Sequence, residues 1–124
     1  MLSRAEKLRE SWSLSDRAVI LAASTHEGEE LAILDSFLTV KAQYANRHPL
    51  LIIVPRHPER FDDVAKLIDS KNLPVIRRSQ DGEPAKNESV YLADSMGELG
   101  VWYALSDIAI VGGSLVNIGG HNPI

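Results

Sequence analysis

Residues able to grip an anion or move a proton are concentrated in a few short stretches of this sequence. They are Ser24-Thr25-His26-Glu27-Gly28-Glu29-Glu30, Pro55-Arg56-His57-Pro58-Glu59-Arg60, Asp94-Ser95-Met96-Gly97-Glu98-Leu99, and Gly112-Gly113-Ser114-Leu115 followed by Gly119-Gly120-His121-Asn122. Arg56 and His57 stand between two prolines, which hold the backbone in a defined shape and suit a planar guanidinium to a phosphate or carboxylate. Met96-Gly97-Glu98 puts a glycine at the entrance of a helix, where main-chain amides approach a ligand closely. The glycines at 112–113 and 119–120 let several N–H groups converge on one anion, with Ser114, His121 and Asn122 as polar neighbours.

Each stretch also has a plainer reading. Ser24 or Thr25 serves as an N-cap, with Glu27 or Glu29 completing the cap. The turn at 55–60 is a solvated loop with Arg60 paired to Asp62 or Asp63. Gly97 and the later glycines are turn residues, and His121 caps a following helix. The glycine spacing matches neither the dinucleotide fingerprint nor the P-loop. Ser114 and His121 form no nucleophile elbow. His57 has no metal-ligand partner at recognisable spacing, so no metal site is expected. Glu27, Glu98 and the histidines suit acid–base work, but spacing alone pairs none of them.

The elements that must position these residues alternate. A short amphipathic helix is expected over 1–12, on Leu2, Ala5, Leu8 and Trp12. A buried strand is expected over 17–23, broken by Ser24-Thr25, and a helix from Glu27 with Leu31, Leu34, Phe37, Leu38 and Ala42 on its apolar face. A strand at 50–54 precedes a helix begun by Pro58 and striped by Phe61, Val64, Ala65 and Ile68. Strands at 74–76, 90–93 and 107–111 follow, with a polar loop at 77–87 and a helix at 98–105. Alternation of this kind predicts an α/β fold: a Rossmann-like, three-layer parallel sheet with helices on both faces. Every notable stretch then falls at the carboxyl ends of strands, where such sheets bind ligands.

The chain has 124 residues, which suits one domain over 1–124. Its net charge of −4 argues against nucleic acid as a partner, since backbone binding asks for a basic face. There is no cysteine, hence no disulfide framework and no thiolate site, and a reducing cytoplasmic setting fits. The N-terminus is polar, unlike a signal peptide, and the apolar runs are too short to span a bilayer. A helix is expected after the glycine-rich turn. The end at Ile124 is therefore read as a stop inside or at the edge of a domain.

Taken in order, STHEGEE at 24–30, PRHPERF at 55–61, DSMGEL at 94–99 and GGSLVNIGGHNP at 112–123 resemble the motif series of the 3-deoxy-D-manno-octulosonic acid (Kdo) transferases. The resemblance runs from about Leu8 onward. It implies a two-domain glycosyltransferase of the GT-B architecture. This chain would be a truncated part of its C-terminal domain, which binds the donor CMP-Kdo. The activity implied is transfer of Kdo to the lipid A precursor in lipopolysaccharide biosynthesis, at the cytoplasmic face of the inner membrane of Gram-negative bacteria. Binding of the acceptor and the catalytic carboxylate would belong to a missing N-terminal domain. No catalytic residue is assigned in this stretch, which by itself would be soluble and inactive. The membrane surface would be met only through the full-length protein.

The same resemblance gives the site residues. Arg56 would contact the CMP moiety, with His57 beside it. Met96, Gly97 and Glu98 would meet the nucleotide through their backbone. Gly113, Ser114, Gly119, Gly120, His121 and Asn122 would line the donor pocket. Ser24, Thr25, His26 and Glu27 would lie at the base of the cleft where the sugar sits. No cofactor or metal is implied. The family pattern continues past His-Asn-Pro with Leu-Glu-Pro, where this chain reads Ile124. Two other classes remain open: a nucleotide-sugar epimerase of related fold, and a non-catalytic flavodoxin-like module that binds a phosphorylated partner.

Overall fold

A computed structural model describes residues 3–112. In chain order its elements are α1 (Arg4–Ser11), β1 (Val19–Thr25), α2 (Glu29–Gln43), β2 (Leu50–Pro55), α3 (Phe61–Ser70), β3 (Ile76–Arg77), β4 (Val90–Leu92), α4 (Leu99–Leu105) and β5 (Ile108–Val111). The strands pair in parallel in the order β3-β4-β2-β1-β5. β5 joins the far side of β1, so the winding of the chain reverses there, the arrangement that opens a crevice at the carboxyl edge.

Helices cover both faces, as the alternation predicts. One face packs Leu21, Ile52 and Tyr91 against Trp12, Trp102 and Leu105. The other packs Ala22, Leu51, Ile53 and Leu92 against Leu34, Phe37, Val64 and Ile68. The period of 2 along each strand divides neighbours between the two cores. β2 is buried from Leu50 to Pro55, which explains its unbroken apolar run. Trp12, Tyr91 and Trp102 pack with ring centroids 4.7 to 6.1 Å apart. At the opposite, amino edge, Arg17 is buried, and its guanidinium donates to the carbonyls of His48 (2.7 Å) and Ala85 (3.2 Å).

The structure departs from the expected elements in ways that bear on the site. β1 does not break at Ser24-Thr25. Ser24 adopts a left-handed φ of 56°, the register against β2 slips there, and Thr25 still pairs with Pro55. With Ser24 in that bulge and Thr25 in the strand, neither caps α2. Gly28 is the N-cap, at φ 92°. Glu29 instead reaches back to accept from the His26 amide at 2.8 Å. The buried stripe of α2 is Glu30, Ile33, Leu34 and Phe37, whereas Leu31 and Ala42 are exposed. β3 shrinks to two residues beginning at Ile76, because Pro74 has no N–H to offer a ladder.

Candidate functional site

The carboxyl edge brings three of the predicted turns side by side. The turn after β1 holds Ser24 to Glu29, the turn after β2 holds Arg56 to Arg60, and the turn after β4 holds Asp94 to Glu98. Since β2 lies between β1 and β4, the Arg56 turn is the middle of the three. Gly112 closes the row at the end of β5. A Cβ there would lie 1.9 Å from the Ser24 carbonyl oxygen, so only glycine lets β5 pack against the β1 bulge. Gly113, Ser114, Gly119, Gly120, His121 and Asn122 lie outside the described residues.

The first two turns are joined. The Arg56 amide donates to the Thr25 carbonyl at 2.9 Å. The His26 and His57 rings meet edge to face at 6.2 Å between centroids. His26 Nδ1 lies 3.3 Å from Glu29. Beneath them sits Glu30, whose side chain is 0% exposed; it accepts from Thr25 Oγ1 at 2.8 Å and from Arg60 at 3.1 Å. Arg60 also binds Asp63 at 3.1 Å. The hydrogen bond to Glu30 raises the Arg60 guanidinium above its ordinary value. Thus one arginine of PRHPER is spent on structure, in part as the plainer reading had it. Arg56 and His57 are exposed, and no side-chain partner holds Arg56 among the described residues.

The turn after β4 is framed from its other side. Asp94, 1% exposed, accepts from Arg77 Nε at 2.6 Å, from the Ser79 amide at 2.8 Å and from Ser79 Oγ at 2.6 Å. Glu98 accepts two hydrogen bonds from Arg78, at 3.1 and 3.0 Å, and is also paired with Arg4 of α1. The Arg78 hydrogen bond, foremost, holds the Glu98 carboxyl below its usual range. Between these anchors Met96 is 69% exposed, and Gly97 stands at φ 78° with open space where a Cβ would be. The geometry leaves the Met96-Gly97 backbone available and commits the Glu98 side chain to the frame.

The predicted site residues therefore sort by what they touch. Arg56, His57, Met96 and Gly97 present free surface. His26 and Ser24 are partly exposed beside them, and Glu27 is exposed. The Thr25 hydroxyl is committed to Glu30. Glu30, Arg77 and Arg78 were not singled out from sequence, and Arg60 was paired there only with Asp62 or Asp63, although all four fix the turns. Glu30 did leave a signal: it falls three and four residues before Ile33 and Leu34, on the buried stripe. Asp94 and Asp107 lie at opposite edges of the sheet, since Asp107 precedes β5 and accepts from the Val19 amide, so they form no paired acidic site. Among the described residues no cluster of three His, Cys, Asp or Glu suits a metal, and no helix is long and apolar enough to cross a membrane.

An exposed arginine, two histidines and open main chain along one strand edge suit a phosphorylated ligand. The chain is 50% identical over its full length to the 3-deoxy-D-manno-octulosonic acid transferase of Haemophilus influenzae, covering 28% of that protein. It is 42% identical to the enzyme of the same name from Bordetella pertussis, over 87% of the chain and 26% of that protein. A bifunctional glycosyltransferase/methyltransferase of Fusobacterium nucleatum matches at 41% over 94% of the chain and 18% of its own length. The chain thus spans about a quarter of the length of the first two. Among solved structures, the C-terminal CMP-Kdo binding domain of WaaA from Acinetobacter baumannii superimposes with a TM-score of 0.83 at 44% identity. That match covers 89% of this chain and 56% of that one. No protein-family model matches the chain.

Proposed function

The chain belongs to the Kdo transferase family, and from that premise we propose that it forms the donor-binding part of a glycosyltransferase that moves Kdo from CMP-Kdo to the lipid A precursor. The observation that carries this reading is the middle turn of the carboxyl edge. Arg56 faces solvent with no side-chain partner among the described residues and His57 touches only the His26 ring, while every other arginine of the edge is tied to a carboxylate. An unspent arginine on a rigid turn is what a nucleotide phosphate requires.

In this reading Arg56 binds the CMP phosphate and stabilises the charge that grows on it as the bond to Kdo breaks. Main-chain groups of Met96 and Gly97 approach the nucleotide, and His26 with the Ser24 bulge borders the sugar. Gly113, Ser114, Gly119, Gly120, His121 and Asn122 complete the pocket. In the same reading the rest of the protein supplies the site for the lipid acceptor and the catalytic carboxylate. Its place would be the cytoplasmic face of the inner membrane in Gram-negative cells, in lipopolysaccharide assembly. The transferase relatives favour this over an epimerase or a non-catalytic module.

The test is a titration of CMP into isotope-labelled protein, with UMP as control. Selective CMP shifts at Arg56, His57 and Met96–Glu98 are expected. Shifts confined to other surfaces, or equal shifts with UMP, would refute the assignment.

A further inference from the structure

Arg60 and Glu30 form a pair that a stability argument alone does not explain. A buried ion pair adds little net stability, because desolvation offsets the attraction. This one also leaves Arg60 Nε buried with no partner among the described residues. What the pair does accomplish is geometric. Glu30 lies in the first turn of α2 and binds Thr25, the last residue of β1. Arg60 lies just beyond the Arg56 turn, at the entrance of α3. The turn is thereby pinned at both ends to the same neighbour: at Arg56 by the Thr25 carbonyl, and at Arg60 by the carboxylate that also holds the Thr25 hydroxyl. His57, Pro58 and Glu59 lie between the pins, with the His57 ring against His26.

We infer that Glu30 and Arg60 are positioning residues: through their buried contact they fix Arg56 and His57 for the ligand without touching it. The inference rests on the donor-site reading above for the ligand and on the hydrogen bonds alone for the clamp.

Arg60→Met, Arg60→Lys and Glu30→Gln would be compared, the last keeping shape while removing charge. Each would be made with and without Arg56→Ala. Two readouts apply: amide order and imidazole signals of His26 and His57 in the free protein, and CMP affinity well below the unfolding temperature. Arg60→Met should lower CMP affinity about tenfold while Arg56 is present and less than about twofold in the Arg56→Ala background. It should also loosen the His57 signals, with Arg60→Lys recovering part of both effects. Glu30→Gln should move both readouts in the same direction. Equal losses in the two backgrounds, or unchanged His57 signals in folded Arg60→Met and Glu30→Gln proteins, would overturn the inference. Failure of the unmutated protein to take up CMP would overturn the donor reading instead, and the His57 signals would still judge the clamp.

Discussion

The turns after β2 and after β4 answer the same structural problem with different materials. Each offers a free tip: Arg56-His57 in one, Met96-Gly97 in the other. Each tip stands on a buried carboxylate. Under the first it is Glu30, contributed by a helix, and it holds one arginine. Under the second it is Asp94, contributed by the turn itself, and it gathers Arg77 and Ser79 from the neighbouring strand and the residues after it. The β4 turn is therefore secured by the sheet edge and the β2 turn by its neighbour on the inner side. The contrast shows that residue type does not decide role here. Arg56 and Arg60 occur four positions apart, and only their partners separate the arginine proposed to bind from the structural one.

Substitutions can press on that contrast, beginning where the loss should be greatest. Asp94→Ala removes the buried partner of Arg77, which keeps only its exposed pair with Asp62, and leaves the Ser79 amide unbonded, and we expect about 2 kcal/mol lost in urea unfolding. Exchange should quicken most at Ile76–Ser79. Unchanged stability would mean that the β4 turn is not anchored as its hydrogen bonds indicate. Arg56→Ala should leave unfolding within about 0.5 kcal/mol, as expected for an exposed side chain. Its effect belongs in calorimetry with CMP, as an affinity loss of about tenfold. A fall in stability instead of affinity would erase the distinction between Arg56 and Arg60.

Glu98 provides a test by acidity. Its folded carboxyl is held below the ordinary 4.5 by Arg78, so the contact stabilises above that pH and is lost as pH falls through the lowered value. The gap in unfolding free energy between the protein and Glu98→Gln should be on the order of 1 kcal/mol near neutrality and close in the acid limb. A gap constant down to pH 2 would contradict it. The smallest stability change should come from Met96→Ala, within about 0.5 kcal/mol, because its side chain is mostly in solvent. A larger drop would show that Met96 supports the turn rather than lying on it.

Much of the fold could be read from the chain because its strands are short apolar runs separated by clear breakers. Leu50–Pro55 announces a buried strand by composition, and Pro58 starts its short helical turn as predicted. The Ser24-Thr25 turn misled, since a local reading assigns hydroxyls to caps. The bulge there depends on β2 and β5 on either side, and that information is not local. The apolar face of α2 was misplaced for a related reason. A glutamate on the stripe looks like an exposed residue until Arg60 is seen to meet it. The free tips were visible as unusual residues after strands; the anchors below them were not, because Arg77 and Asp94 are 17 positions apart and joined only by the sheet.

The place of β5 has a consequence for synthesis. β1 pairs on one side with β2, which follows it closely, and on the other with β5, whose flanking Asp107 is 88 positions from Val19. As the chain leaves the ribosome, β1, β2 and β4 have their pairings available once Leu92 has emerged. Until β5 arrives, the far side of β1 is an open template, with unpaired amides and carbonyls facing other chains. Late closure by a distant strand makes that interval slow as well. A translational pause that holds the chain after β4 has emerged and before β5 has should therefore raise aggregation of the nascent protein more than an equal pause before β2 has emerged.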